Sequence, residues 1–321
     1  MKKKVVLGVF LVMIAFCIFG CTKKDSYEYD IHNNVVVIKK YNGKSKDVII
    51  PAIIKGYPVI EIGNGAFSAK EPIRVLVDYS GERYNGNELI ESIVIPDSVT
   101  SIGMDAFSEC TSLRSINIPD DVSKIGGGAF SGCANLQNIK IPDGISTIAD
   151  GTFRGCASLQ SVVIPNSVTT IGKRVFGGCT SLQSITIPDS VSSIGDGAFS
   201  GCTGIKSISI PEGITIINSD LFNSCGALSS ITIPSTVTTI ENRAFEKCRS
   251  LERIIIPNTV TSIGIRAFQN CTCLKSVMMS DNIIYIGTRA FENCINLTEM
   301  TIPESVVSIG TGAFDGTHIV H

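Results

Sequence analysis

The sequence predicts a β-rich solenoid of about ten 23-residue coils, each with short strands and one helical or 3₁₀ turn, closed at its N-terminal end by a β-hairpin. Three observations predict it. Phe recurs at 107, 130, 153, 176, 199, 222, 245, 268, 291 and 314, a constant step of 23 residues, and Phe67 is an earlier, offset copy. Between these positions one unit repeats, A-F-x-x-C-x-x-L-x-x-I-x-I-P-x-x-V-x-x-I-G. A single unit is also too small to stand alone: burying its few inward side chains does not offset the ordering of its backbone, so stacking must supply the rest. A fixed period in the twenties is the signature of such an array.

Each element of a coil follows from its residues. Leu182-x-x-Ile185-x-Ile187 is a strand signal, with the β-branched pair on one side and Ser184 and Thr186 on the other. Pro188 lacks an N–H and ends the strand. Val191 and Ile194 mark a second short extended piece, and Gly195–Gly197 turn the chain. Ala198-Phe199-Ser200-Gly201-Cys202 is too short for an ordinary helix and reads as one helical or 3₁₀ turn.

This unit resembles the BspA-type leucine-rich repeat family of bacterial surface proteins, over about residues 27–316. The resemblance implies a right-handed leucine-rich-repeat solenoid with strands on one face and turns on the other. It also implies binding rather than catalysis.

Residues 1–20 read as an export signal. Lys2–Lys4 form a basic start, and the apolar run Val5–Phe19 is shorter than the ~20 residues of a comfortable membrane span. The run ends Ile18-Phe19-Gly20-Cys21, which resembles a bacterial lipoprotein signal. That resemblance implies cleavage between Gly20 and Cys21, a diacylglycerol on the Cys21 sulfur and an acylated new amino group. The other readings are an ordinary signal peptide with a chance Cys, or an uncleaved anchor. Residues 21–26 make a polar tether of at most ~20 Å.

Residues 27–58 form the cap and first strand. Tyr27–Ile31 and Val35–Lys39 flank Asn33-Asn34, which reads as a hairpin with Asn in the tight turn. Val48–Ile50 leads to Pro51, the first strand-ending proline, and Val59-x-x-Ile62-Gly63 restores the repeat. The solenoid occupies residues 59–321. Phe67 and Phe107 are 40 residues apart, so an insert at about 70–89, polar and carrying Tyr79 and Tyr84, breaks the rhythm. It is either a contact loop or a tolerated surface insertion.

The chain carries 27 basic and 29 acidic residues, a near-balance that gives no overall polyanion footprint and argues against nucleic acid. Nine cysteines recur three residues after Phe, at 110, 133, 156, 179, 202, 225, 248, 271 and 294, with Cys273 extra. There is no C-x-x-C and only His32, His318 and His321, so neither a metal site nor a cofactor is expected. An inward Cys in each coil reads as a small buried thiol; the rival is a ladder of disulfides between coils. No nucleophile–base set or inward acidic pair appears, so no enzyme is expected.

Variation within the array then points to function. The outward strand positions are mostly Ser, Thr and Asn, but become apolar beside a charge at Arg253, Ile255 and Met278. Met278-Met279-Ser280 replaces the usual x-Ile-Pro, so this coil lacks its proline. Arg253, Ile255, Met278 and Met279 are therefore the candidate partner-binding residues, set against drift on a β-rich surface. The expected function is a surface-anchored adhesion or protein-binding module, tied to the membrane by its N-terminal lipid, with a host matrix protein or another cell as the ligand the resemblance suggests. The alternative is a structural, self-associating envelope protein.

Overall fold

The computed structural model describes residues 27–69 and 86–319. The signal segment 1–20, the tether with Cys21, and residues 70–85 of the insert lie outside the described residues.

A column of eleven Phe rings, Phe67 to Phe314, runs through the coils. Successive centroids lie 5.1–5.7 Å apart, and the ring planes stay within 28° of each other. Ten of these rings are wholly buried; Phe314, in the last coil, is nearly so. Phe67 sits 5.2 Å from Phe107 despite the 40-residue gap, so it is a full rung and the coils number about eleven.

Two rows of parallel strands line the solenoid. One row has three-residue strands such as Asn138–Lys140 and Ser161–Val163, paired in register and exposed-buried-exposed. The other has two-residue strands such as Thr147–Ile148 and Thr170–Ile171, again one coil apart. Glu61 pairs with Ser101, so the insert leaves the register intact. From Pro96 onward each strand-ending proline offers its carbonyl to a turn, as in Val191 N–H to Pro188 O at 3.0 Å. In the coil without proline, Ser280 is buried and takes over both roles. Its carbonyl accepts from Ile283 N–H, and its hydroxyl accepts from Asn282 N–H at 3.0 Å.

The cap is a hairpin of β1 (Tyr27–His32) and β2 (Val35–Tyr41), with Asn33 and Asn34 both at positive φ (50° and 64°), as a primed two-residue turn requires. Strand β2 pairs parallel with Tyr57–Ile62 and so occupies the place of a coil before the first. Tyr41 stacks on Phe67 at 5.1 Å, and Tyr27 meets the same ring edge-on. The aromatic column thus ends under a lid of two tyrosines.

The turn face corrects one expectation. Residues 195–202 are not a helical or 3₁₀ turn but two successive tight turns with Gly197 and Gly201 at positive φ (61° and 74°). The amides alternate in destination. Ala198, Ser200 and Cys202 donate three residues back within the coil, whereas Gly197, Phe199 and Gly201 donate to Ser219, Leu221 and Asn223 of the next. A helix would need all of them for itself. Among the described residues the one 3₁₀ helix is Gly86–Leu89, outside the repeat rhythm.

The nine cysteines in the repeat row are free and buried, while Cys273 is exposed. Each buried thiol donates to the carbonyl of the Phe one coil back, as in Cys156 Sγ to Phe130 O at 3.2 Å. That carbonyl also accepts from Cys133 N–H, so both of its lone pairs are occupied. A small apolar residue would fill the same space but leave a weak acceptor unmet.

Candidate functional site

The solenoid is built to hold a surface, and its three-residue strands set the spacing of that surface. Arg253–Ile255 and Ser276–Met278 pair parallel, with Arg253 opposite Ser276 and Ile255 opposite Met278. Because alternate residues of a strand point to opposite sides, Ile254 and Val277 are buried while their neighbours face out. Ile255 is 64% exposed and Met278 is 63% exposed. These two form an apolar pair side by side, with Arg253 two residues along the same strand. Glu252 and Lys275 flank them in an exposed ion pair at 2.9 Å. The hydrogen bond from Lys275 holds the Glu252 carboxyl below the usual carboxylate range.

A groove of about 440 Å³ opens beside the pair, lined by Ser230, Thr232, Glu252, Arg253 and Ile255. It lies at a break in the ladder: Ser230–Thr232 pairs with the strand before it, Arg253–Ile255 with the strand after it, and the two are not joined to each other, as Ser115–Asn117 and Asn138–Lys140 are not. Ile231, on the floor of the break, is only half-buried, whereas the central residues of the other three-residue strands are buried. Arg253, Ile255 and Met278 therefore share one exposed face, as the sequence placed them. Met279 does not join them. It points the other way, half-buried against the core, in the row that usually holds Ile.

The Ser/Asn stretch of the same face is different in kind. Ser161 donates to Asn138 Oδ1 at 3.0 Å, so these side chains satisfy one another along the rod.

Sequence reasoning missed a second apolar pair. Ile49 is 75% exposed and Val94 is 50% exposed, and they are partners in register at the N-terminal end of the same row. The signal was present: Ile49 and Val94 each stand two residues before a strand-ending proline, as Ile255 does. The offset first coils concealed it. Among the described residues no group of His, Cys, Asp or Glu is placed to hold a metal ion.

A parallel, in-register stack of short coils with a patterned outer face defines a solenoid repeat protein. The chain belongs to the BspA-type leucine-rich repeat family: the model of that repeat region, in six copies, matches residues 81–206 and 193–320. Among solved structures it is similar to a leucine-rich repeat protein from Bacteroides ovatus, at 27% identity over 91% of each chain with a TM-score of 0.68. It is also similar to a leucine-rich cell surface protein from Faecalibacterium prausnitzii, at 30% identity over 92% of this chain and 85% of that one, with a TM-score of 0.60. The pneumococcal vaccine antigen PcpA, 19% identical with a TM-score of 0.53 over 93% of this chain and 97% of its own, shares the fold alone. No curated protein matches the chain.

Proposed function

We propose that this chain is an exported bacterial surface module that binds a protein partner through its strand face. The observation that carries this reading is the exposed Ile255–Met278 pair beside Arg253, bordering a groove where the ladder opens. Apolar anchors next to an arginine fork, rimmed by polar side chains, are the usual composition of a binding centre. The likeness to a leucine-rich cell surface protein supports a surface location. The basic start, short apolar run and Gly20-Cys21 pair support a lipid anchor at Cys21, for which cleavage would fall between those two residues. Two or more acyl chains give stable anchoring, since each buried CH₂ adds ~0.8 kcal/mol.

Self-association is the second reading. It is favoured by the second apolar pair, Ile49 and Val94, which lie exposed side by side on the strand face. Sedimentation of the purified chain, run beside surface-binding assays with purified host matrix proteins, separates the two. Saturable matrix binding by a monomer supports the first reading; concentration-dependent assembly with no matrix binding supports the second.

A further inference from the structure

The turn face, opposite in character to the strand face, holds a second surface. A shallow depression of about 570 Å³ lies across it, rimmed by Arg154, Arg174, Arg243, Asp196 and Asp220. Its floor is glycine backbone. Gly155 and Gly178 occupy the same left-handed position in adjacent coils (φ 74° and 78°), and the Cα of Gly155 is the nearest atom a Cβ at 178 would meet. Without side chains the floor is flat.

The charges around it are not self-contained. Asp196 is paired with Lys173 at 2.9 Å, and Asp220 accepts from Asn223 at 2.8 Å. Arg154 and Arg174 are exposed and have no carboxylate partner among the described residues. From the rim the arginines continue in file. Arg243, Arg266 and Arg289 hold one position in three successive coils, all at positive φ (56°, 58° and 57°), where Gly stands in several other coils. The turn imposes this conformation in other coils too, where Asp105, Arg174 and Asp220 hold the same position (φ 51°, 52° and 58°), so Arg174 on the rim belongs to the same file. Arg243 and Arg289 each lie beside a carboxylate, Nε to Glu246 at 3.7 Å and Nε to Glu292 at 3.9 Å, and Arg266 has no carboxylate partner among the described residues.

We propose that this face binds a linear acidic glycan, its sugar rings lying on the glycine floor and its anionic groups taken by Arg154, Arg174, Arg243 and Arg266. The coil spacing fits. Rings Phe245, Phe268 and Phe291 step by 5.1 Å, about the advance of one pyranose unit in an extended chain, so a uronate or sulfate on successive sugars can meet Arg243, Arg266 and Arg289 in turn, while Gly197 and Asp220 stand in the two coils between Arg174 and Arg243. The two rim aspartates favour a glycan over a nucleic acid. Sugar hydroxyls on every ring can donate to them, whereas a phosphodiester backbone brings acceptors and like charge.

The test uses the full chain and four probes: polygalacturonate (carboxylate only), chondroitin sulfate (carboxylate and sulfate), a neutral 1,4-linked glucan, and single-stranded DNA. One or both acidic glycans should bind, and the neutral glucan and DNA should bind far more weakly. Which acidic glycan binds tells whether carboxylate suffices. The double variant Arg154→Gln/Arg174→Gln should lose at least about tenfold in affinity, the loss of one or more charge-assisted hydrogen bonds. Arg266→Gln should lose severalfold, while Arg114→Gln, away from the depression, should not change. Arg114, Arg154 and Arg174 are exposed and Arg266 is half-buried, and circular dichroism melts will check that the fold is kept. Binding of neither acidic polymer, equal binding in the double variant, or DNA binding as tight as glycan binding would each overturn the proposal.

Discussion

The thiol of Cys202 donates to the carbonyl of Phe176, 3.0 Å away in the preceding coil. The same bond recurs through the array, so a residue that looks like filler also ties coil to coil. Removing it should show: Cys202→Ala should destabilise by about 1–3 kcal/mol, from the lost contact and the carbonyl left short of a donor. Chemical denaturation checks this, and a cost no larger than that of a surface Ser→Ala change would mean the bond contributes nothing.

Alkali should unfold the rod earlier than its core size suggests. Burial pushes the Cys110, Cys179 and Cys225 thiols up to about 12, and those of Cys133, Cys156, Cys202, Cys248 and Cys271 well above their ordinary value. An unfolded thiol ionises near ~8.5. The folded state therefore holds more protons above that pH, and stability falls as pH rises from about 8.5 toward 12. Thermal melts from pH 7 to 10.5 should show a steepening decline, and a flat profile would contradict it.

Alkylation tests the same row. Under native conditions Cys273 should react first, and the nine buried thiols should react only on unfolding. Intact mass after alkylation in denaturant without reductant reads this directly; finding one or two reactive thiols there would establish disulfides instead.

Phe199→Ala should cost about 3–5 kcal/mol through transfer and cavity terms. Because rings couple to neighbours, amide exchange should rise in the coils of Phe176 and Phe222 and stay unchanged at the cap. Uniform exchange across the chain would mean the rod unfolds as one unit.

On the strand face, Ile255→Ser/Met278→Ser should weaken binding of any protein ligand by about 1–3 kcal/mol with the melt unchanged, while Thr186→Ala should do little. Equal affinity in the double variant would move attention to Ile49 and Val94. At the other end, Cys21→Ala should release the chain from the membrane or block its processing. Labelling with a palmitate analogue that leaves the unaltered protein unlabelled would remove the lipid anchor.

What could be read from the residues was the rhythm. Phe, Cys, Leu, Ile and Pro at fixed offsets sufficed for the stacking, the strands, the buried thiols and the exposure of Arg253, Ile255 and Met278. Three features were hidden for physical reasons. The turn at 195–202 has a helix-like length, and only the alternate routing of its amides to the next coil decides against one. Phe67 looked out of step because 40 residues separate it from Phe107, yet register belongs to hydrogen bonds and not to chain length. Met279 lay next to an outward residue in sequence, but strand alternation turns neighbours to opposite sides.

The intact pairing of Glu61 with Ser101 across the longest interval in the array has a hereditary consequence. Each coil meets its neighbours through the same register, so duplication or loss of a whole unit in the DNA would leave both flanking contacts as they were. Every such event would lengthen or shorten the rod by one ring spacing, 5.1 to 5.7 Å. Reach is thus a quantity that recombination can adjust in steps, without disturbing the cap at one end or the patch near the other.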